Sequence, residues 1–380
     1  MDDPRGRWLE RRISRRMALR AALVGGAGLA GALIIGCEDG EEATTASPTS
    51  RATGTPGAPT PTPSPAGAAP STWRLVTPEG MDVPPARRDH NLTWDGGGRL
   101  LLFGGRQEGE ALNDLWAFDL GEREWVQIST SGGPAAPRFG HGAVFDEQAR
   151  RLVVFGGQGA AFFNDVWAFE EASNVWKDVT PAGAAPAKRY GMSAALDAAS
   201  GRMFISHGFT DQGRFDDTWA LPLAADAWSD VSPAGTRPIE RCLHRLVWDA
   251  SNQRLLLFGG QTNSDPFLGD LWAFQPGTGW RSIATEPMPS ERNLYAAVYD
   301  ETGRRLVLFG GQTPGGPAND LWLLDVTNDT WRQANVAGEA PSVRSSHDAV
   351  FIPERRSLMV FGGRAESDLN DLWEIDLAQI

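Results

Sequence analysis

Arginine and histidine recur at a fixed spacing between residues 87 and 347. Six arginines each stand three residues before a histidine, a methionine or a tyrosine, and four of the chain's five histidines fall at that second position. The pairs are Arg87 and His90, Arg138 and His141, Arg189 and Met192, Arg241 and His244, Arg292 and Tyr295, and Arg344 and His347. Guanidinium groups bind carboxylates through paired hydrogen bonds, and imidazole binds zinc and copper. The spacing therefore raises two hypotheses, an anion site and a metal site.

The metal hypothesis fails on geometry. Zinc needs its ligands about 2 Å from one centre, whereas these histidines stand at matching places of successive repeat units, which sets them apart from one another. We therefore expect the histidines to make structural hydrogen bonds, and we expect no metal and no other cofactor.

The arginines leave two interpretations open. Each can pair with an aspartate later in its own repeat. Alternatively, the six guanidinium groups can gather at the opening of a channel formed by the repeats and bind a carboxylate or similar anion there. The aspartates that would serve the first interpretation are Asp114, Asp165, Asp217, Asp270, Asp320 and Asp371.

Positions that depart from a repeat are better binding candidates, because a fold needs its common residues in every copy. The residue after a glycine pair is glutamine in three copies, but Arg106 in the first and Arg364 in the last. With Arg88 they would form a local cationic site, which Glu108, Glu110, Glu366 and Asp368 in the same loops would oppose. The candidate ligand-binding residues are Arg87, Arg88, Arg106, Arg138, Arg189, Arg241, Arg292, Arg344 and Arg364.

These residues belong to six repeats of about 50 residues. The tetrad Asn-Asp-Leu-Trp, or a variant of it, ends at Trp116, Trp167, Trp219, Trp272, Trp322 and Trp373. An apolar run ending in Phe-Gly-Gly precedes five of the tetrads, and the third repeat has His207-Gly208 instead. Within the second repeat the pattern predicts four short strands, at residues 141–146, 151–155, 165–169 and 175–179.

A period of this length with a glycine pair and a later tryptophan resembles the kelch repeat, over roughly residues 72–380. The resemblance implies an all-β fold, a six-bladed β-propeller of the kelch type. We expect the glycines to end buried strands at positive φ. We expect the tryptophans to fill the seams between blades.

A count of tryptophans predicts how the ring closes. A second tryptophan opens the fourth strand of repeats one to five, at Trp125, Trp176, Trp228, Trp280 and Trp331. The sixth repeat does not supply one, but Trp73 lies before the first repeat at the matching spacing. We therefore expect residues 73–77 to pair with residues 371–376, so that both ends of the repeat region complete one blade and leave no open sheet edge.

The resemblance also brings in two enzyme classes as alternatives. Galactose oxidase needs copper held by tyrosines and histidines with a Tyr to Cys cross-link, but this chain has only three tyrosines. Its Cys242 follows a repeat arginine, where we expect a small buried residue. The better enzyme alternative is a kelch epimerase or mutarotase of sugar acids, in which arginines and an acid or base move a proton. No motif in the sequence is diagnostic of it.

The first 71 residues indicate export and anchoring. Arg15-Arg16 before an apolar stretch resembles a twin-arginine signal, and Ile34-Ile35-Gly36-Cys37 resembles a lipobox whose cysteine becomes lipidated. An uncleaved anchor helix or a plain signal peptide is the alternative. The domains expected are a signal peptide at 1–36, a Thr/Pro/Gly-rich disordered tether at 37–71 and the propeller at 72–380. We expect no disulfide between Cys37 and Cys242.

Charge narrows the class of partner. The net charge is −13 although the first 36 residues carry seven arginines and three acids, so the remainder is more acidic still. An acidic body repels nucleic acid. We therefore expect an extracytoplasmic, membrane-anchored binding module, a monomer, that presents a propeller face to an envelope or extracellular protein or glycan. A catalytic function is the less favoured hypothesis.

Overall fold

The computed structural model describes residues 71–76, 82–133, 135–225 and 227–380. The signal segment, Cys37 and most of the tether lie outside these ranges. Across the described ranges there is no α-helix, only strands and one turn of 3-10 helix at Pro353–Arg355. None of the helical structure described there is long and apolar enough to span a bilayer.

Six antiparallel four-stranded sheets form the blades. Blade 1 contains Asn91–Trp94, Arg99–Phe103, Leu115–Asp119 and Glu124–Gln127, and blade 2 contains Gly142–Asp146, Arg151–Gln158, Phe162–Glu170 and Val175–Asp178. Blade 3 contains Ser193–Asp197, Arg202–Ser206, Thr218–Pro222 and Ser229–Asp230, and blade 4 contains Arg245–Asp249, Arg254–Gly260, Leu268–Gln275 and Gly279–Ile283. Blade 5 contains Ala296–Asp300, Arg305–Thr313, Gly316–Asp325 and Thr330–Gln333, and blade 6 contains Asp348–Ile352, Ser357–Arg364, Asp368–Asp376 and Trp73–Leu75.

The blades form a closed ring. The first strand of each blade contacts the first strands of both neighbours, including blade 6 with blade 1, so these strands are innermost. Six apolar clusters hold the ring, and each draws its members from two adjacent blades. A single blade cannot cover both of its own faces, and its neighbours do so instead. The predicted all-β, six-bladed propeller is confirmed.

The outer-strand tryptophans fill these seams. Trp176 of blade 2 packs on Phe103 of blade 1 with ring centroids 4.8 Å apart, and Trp125 packs on Phe361 of blade 6 at 5.1 Å. The tetrad tryptophans behave differently, since each indole N–H donates to the aspartate two residues before it, as Trp116 does to Asp114.

The predicted closure is also confirmed. Trp73 pairs with Ile375 and Leu75 with Trp373 in an antiparallel register, which makes Trp73–Leu75 the outermost strand of blade 6. Ser71 Oγ donates to the carbonyl of Asp376 at 2.8 Å. Backbone hydrogen bonds between distant parts of the chain thus satisfy the edge that blade 6 would otherwise expose.

The second and third strands of blade 2, the two in the middle of the sheet, are longer than predicted. The second and third strands run to Gln158 and from Phe162, because pairing continues past the glycine pair after a register shift between Phe163 and Val166. Both glycines take positive φ, 65° at Gly156 and 95° at Gly157, as expected. A Cβ on Gly157 would lie 2.9 Å from the carbonyl oxygen of Phe139, so the close approach of two chain segments also requires glycine there.

Six backbone hydrogen bonds circle the channel on one side of the ring. The residue just before the histidine position of each blade has positive φ, and its N–H donates to the carbonyl of the equivalent residue in a neighbouring blade. The six residues are Asp89, Gly140, Gly191, Leu243, Leu294 and Ser346, with N to O distances of 2.8 to 3.1 Å. We call them the backbone ring. They tie every blade to both neighbours next to the innermost strands.

Candidate binding surfaces

The propeller has two faces. The loop face carries the segments that lead into the innermost strands and the loops between second and third strands, which meet in short bridges such as Arg88 with Arg106 and Ser345 with Arg364. The turn face, on the opposite side, carries the turns between first and second strands. Every arginine among the sequence-predicted site residues belongs to the loop-face segments.

The six repeat arginines pair with aspartates of their own blades. The side chain of Arg87 is fully buried, and its Nη1 and Nη2 donate to the two carboxylate oxygens of Asp114 at 2.7 Å each. Nη1 also donates to the carbonyl of Gly104, and Nε to that of Pro85, both at 3.0 Å. The same arrangement recurs in every blade, with Arg138 and Asp165, Arg189 and Asp217, Arg241 and Asp270, Arg292 and Asp320, and Arg344 and Asp371.

This pairing confirms the first of the two interpretations of the arginines. Burial by itself would raise the pKa of Asp114, but hydrogen bonding and charge from Arg87 bring that pKa below its ordinary value. Each guanidinium therefore connects three parts of its own blade. These are the segment before the first strand, the end of the second strand, and the aspartate near the start of the third strand. All six guanidinium groups are fully buried, whereas the side chains of Arg88, Arg106 and Arg364 are partly exposed.

The histidines lie in the seams between blades. His90, His141 and His347 each present a ring edge to the phenylalanine before the glycine pair of the preceding blade, at centroid distances of 5.3 to 5.4 Å. Burial lowers the pKa of all five histidines, that of His141 to about 3, so they are neutral at physiological pH. In the described part of the chain, no group of three or more histidine, cysteine, aspartate or glutamate side chains could hold a metal ion.

Hydrogen bonding of the histidines is less complete than expected. His347 Nε2 lies 3.1 Å from the carbonyl oxygen of Phe309, and His207 Nδ1 lies 2.6 Å from Ser206 Oγ. Neither ring nitrogen of His90, His141 or His244 has a hydrogen-bond partner among the described residues. The prediction of structural hydrogen bonds is therefore wrong for these three: His90 and His141 pack against a phenylalanine instead, and His244 packs against the ring of His207 at a centroid distance of 5.3 Å.

Arg245 crosses the central channel. Its guanidinium donates to the carbonyls of Tyr295 at 2.8 Å and His347 at 3.2 Å, and it lies 3.3 Å from Asp348 Oδ1. Asp348 Oδ2 in turn accepts the N–H of Leu92 at 2.8 Å. Burial raises the pKa of Asp348, against the lowering effect of the charge on Arg245. This network links blades 4, 5, 6 and 1 across the axis.

The cavity above this network is small. It has a volume of about 50 Å³ and is lined by the backbone ring, three of the histidines and Arg245. Water takes up about 30 Å³ per molecule in the liquid. The cavity therefore suits one or two waters and cannot admit a sugar acid.

A larger groove lies on the loop face between blades 6 and 1. Its volume is about 490 Å³, and Arg88, Glu108, Arg364 and Asp368 are among its lining residues. Arg88 Nη1 lies 3.1 Å from Asp368 Oδ1, so one predicted cation is neutralised by one of the opposing acids. Arg106 Nε likewise lies 2.6 Å from Asp89 Oδ2. The guanidinium of Arg364 forms no hydrogen bond or ion pair with any described residue.

Beside this groove the loop face carries half-buried aromatic side chains, Phe139, Phe162 and Phe209, which we call the aromatic patch. Phe162 and Phe209 meet edge to face at 6.2 Å. The guanidinium of Arg106 lies 4.9 Å from the ring centre of Phe139, and that of Arg214 lies 5.2 Å from that of Phe209. Cationic groups stacked on aromatic rings give a surface that can bind both apolar and polar groups.

The three rings of the aromatic patch are not among the site residues predicted from the sequence. The residue after the repeat arginine is Arg88 in the first repeat but Phe139 in the second, and in the third repeat Phe209 follows the His207-Gly208 that replaces the glycine pair. The same comparison that singled out Arg106 and Arg364 could therefore have found two of the three rings. Phe162 begins the third strand of blade 2, in an extension whose residues do not align between repeats, so only the structure places it in the patch.

Comparisons with known proteins agree with this architecture. The family model described as the KLHDC2/KLHL20/DRC7 Kelch-repeats domain matches residues 68–248 and 226–379. Putative adagio-like protein 2 of Oryza sativa subsp. japonica is 30% identical over 338 residues, which cover 80% of this chain and 51% of that protein. The leucine-zipper-like transcriptional regulator 1 homolog of Drosophila melanogaster is 27% identical over 290 residues, covering 71% and 29%. Host cell factor 1 of Homo sapiens is 28% identical over 278 residues, covering 65% and 13%. The chain spans about half or less of the length of these relatives.

Proposed function

The chain belongs to the kelch-repeat family, and on that premise we propose that it is an extracytoplasmic, membrane-anchored module that binds a protein or glycan through its loop face. Kelch propellers commonly mediate protein interactions. The location is supported by the twin-arginine-like segment, the lipobox-like sequence before Cys37 and the proline-rich tether. Lipids on that cysteine would anchor the chain stably, since more than one acyl chain is attached to such a residue.

One observation carries the binding role. The residues that depart from the repeat and remain accessible gather on one arc of the loop face, from Arg364 in blade 6 through Arg106 and Phe139 to Phe209 in blade 3. The fold does not require these residue types, because the other blades form without them. An accessible cluster of arginine and aromatic side chains has the composition of a binding hot spot.

The geometry favours binding over the sugar-acid epimerase or mutarotase. That alternative requires an arginine and an acid or base around one substrate in a site closed to water. The central cavity is too small for a sugar, and Arg245 with Asp348 crosses the axis beside it. The loop-face groove is larger, but there Arg88 already pairs with Asp368.

Photo-cross-linking in intact cells tests this proposal. With a photoreactive amino acid at position 209 in the full chain, we expect irradiation to give a discrete product with an envelope protein or glycan, recovered in the membrane fraction. The same product from the Cys37→Ser variant is expected in the soluble fraction, because the anchor is lost. The control places the photoreactive group at Val126, an exposed residue on the outer strand of blade 1.

Two outcomes would contradict the proposal. A product that forms equally from positions 126 and 209 would show that the loop face is not the binding surface. Retention of the Cys37→Ser variant in the membrane fraction would show that the anchor lies elsewhere.

A further inference from the structure

Two tryptophans have no place in the repeat. Of the 15 in the chain, Trp8 lies outside the described residues. Six of the others end the tetrads, and six lie in or beside the outermost strands, Trp73 included. The remaining two are Trp94 and Trp248, both at the turn-face end of an innermost strand, in blades 1 and 4. The other four blades form without a tryptophan there, so the ring does not require these two.

Trp248 presents its ring to a groove on the turn face. One side of the indole stacks on Phe204, with ring centroids 5.6 Å apart and planes 9° from parallel. Trp248 also lines two adjoining cavities of about 350 and 330 Å³, which share Asp197, Ala199 and Gln253 as lining residues. Each volume lies within the range of about 300–1,000 Å³ that small-molecule sites occupy.

The polar group of the indole is available to a ligand. The N–H of Trp248 donates to no described residue and is not buried, whereas those of Trp125 and Trp176 are buried without a partner. The tetrad tryptophans use theirs on aspartates, as Trp116 does. Trp248 therefore combines an accessible apolar surface with an unused hydrogen-bond donor.

Other unused polar groups surround this indole. Gln253 and Glu301 are exposed, and neither side chain forms a hydrogen bond or ion pair with a described residue. Tyr299 donates its hydroxyl to Ser251 Oγ at 2.6 Å and forms another wall of the groove. An aromatic ring flanked by an amide and a carboxylate offers an apolar surface together with donors and acceptors close to its edge.

From this arrangement we propose that the turn face binds a neutral carbohydrate, with a sugar ring stacked on Trp248 and its hydroxyls bonded to Gln253 and Glu301. The apolar C–H face of a sugar matches the indole, and its hydroxyls can both donate to a carboxylate and exchange hydrogen bonds with an amide. Asp197 is buried and pairs with Arg202, but the exposed Glu301 has no counter-charge among the described residues, and on an acidic body it disfavours an anionic sugar.

Trp94 lies at the equivalent position of blade 1. It lines a cavity of about 530 Å³ next to three successive glycines, Gly96, Gly97 and Gly98, and the exposed Glu354. Its indole N–H likewise donates to no described residue. Trp94 is thus a second platform on the same face. Both sites lie opposite the loop face, so the proposal does not rest on the function proposed for that face.

Calorimetric titration of the full chain with neutral hexasaccharides of glucose, xylose, mannose and N-acetylglucosamine tests the proposal. We expect at least one to bind with a Kd in the millimolar range or tighter, and Trp248→Ala to weaken that binding at least 10-fold. Gln253→Asn shortens the amide side chain while tolerating the left-handed backbone at that residue, where φ is 51°. We expect it to weaken binding at least threefold, even if Trp248→Ala unfolds the chain. Phe209→Ser on the loop face should leave the affinity unchanged.

Several results would overturn the carbohydrate assignment. These are the absence of binding across the panel, equal affinity of the wild type and both turn-face variants, and tighter binding of an acidic hexagalacturonate than of any neutral sugar. Binding of deglycosylated envelope protein that Trp248→Ala abolishes would assign the groove to a protein partner instead. Because Phe209→Ser affects only the loop face, failure of this proposal is distinguishable from failure of the proposed function.

Discussion

Replacing Asp114 by alanine is expected to lower the free energy of unfolding by about 3–5 kcal/mol, because it leaves the guanidinium of Arg87 buried without its counter-charge. The side chain of Arg87 is fully buried, and two of its nitrogens donate to the Asp114 carboxylate at 2.7 Å. The same substitution removes the acceptor of the Trp116 indole N–H. Chemical denaturation of the full chain measures the change, when the unfolding transition of the propeller is fitted to give its free energy of unfolding.

A double variant distinguishes the cost of leaving one charge buried without its partner from the net contribution of the ion pair. With Arg87→Met and Asp114→Leu together, the buried charge is gone, and we expect a smaller loss than with Asp114→Ala alone. The control is Lys177→Ala, which breaks an exposed ion pair with Glu170 and should leave the stability nearly unchanged, because solvent screens such a pair. A loss for Asp114→Ala no larger than for Lys177→Ala would contradict a structural role for the six pairs.

Lowering the pH is expected to destabilise the propeller already at pH values well above those at which its aspartates become protonated. Burial lowers the pKa of all five histidines in the folded chain, while the unfolded chain keeps a value near 6.5. Below pH 6.5 the unfolded state therefore binds protons that the folded state does not, and stability falls as pH falls. Each histidine contributes about 1.4 kcal/mol per pH unit until its folded pKa is reached.

Denaturation midpoints between pH 7.5 and 4.5 measure this slope, and we expect the free energy of unfolding to fall steadily as the pH falls below 6.5. His141→Met introduces the residue that blade 3 carries at the same position, Met192, and should reduce the slope by about one proton. His207→Gly introduces the residue of the other five blades and should act in the same way. Stability that stays flat from pH 7 to pH 5 would mean that the histidines are not buried in the folded chain.

The repeat made most of the fold predictable. Six tetrads gave the number of blades, and the missing outer tryptophan of the sixth repeat assigned Trp73 to blade 6 before its register with Ile375 was known. The pairing of repeat arginines with aspartates was predictable as one of two alternatives. Choosing between them required the burial of Arg87, which depends on how the segment before each first strand folds over the glycine pair.

The surfaces were harder to predict, for physical reasons. The positive charge that the sequence predicts at Arg106 is neutralised in the structure by Asp89. Asp89 belongs to the backbone ring, and the other repeats have no acidic residue at its position. Phe139 and Phe209 form one patch only because neighbouring blades place them on the same face. Trp94 and Trp248 are indistinguishable by residue type from twelve structural tryptophans, and only their position at the turn-face end of an innermost strand separates them.

The central claim is that the repeated residues build the ring and that the accessible exceptions on the loop face bind the ligand. The measurement that tests it most directly is the affinity of the full chain for the species cross-linked through position 209, compared with that of a Phe209→Ser, Arg364→Ala double variant. The claim predicts at least a 10-fold loss of affinity, with a free energy of unfolding unchanged within about 1 kcal/mol, as is usual for surface substitutions. Equal affinity of the two proteins would contradict it.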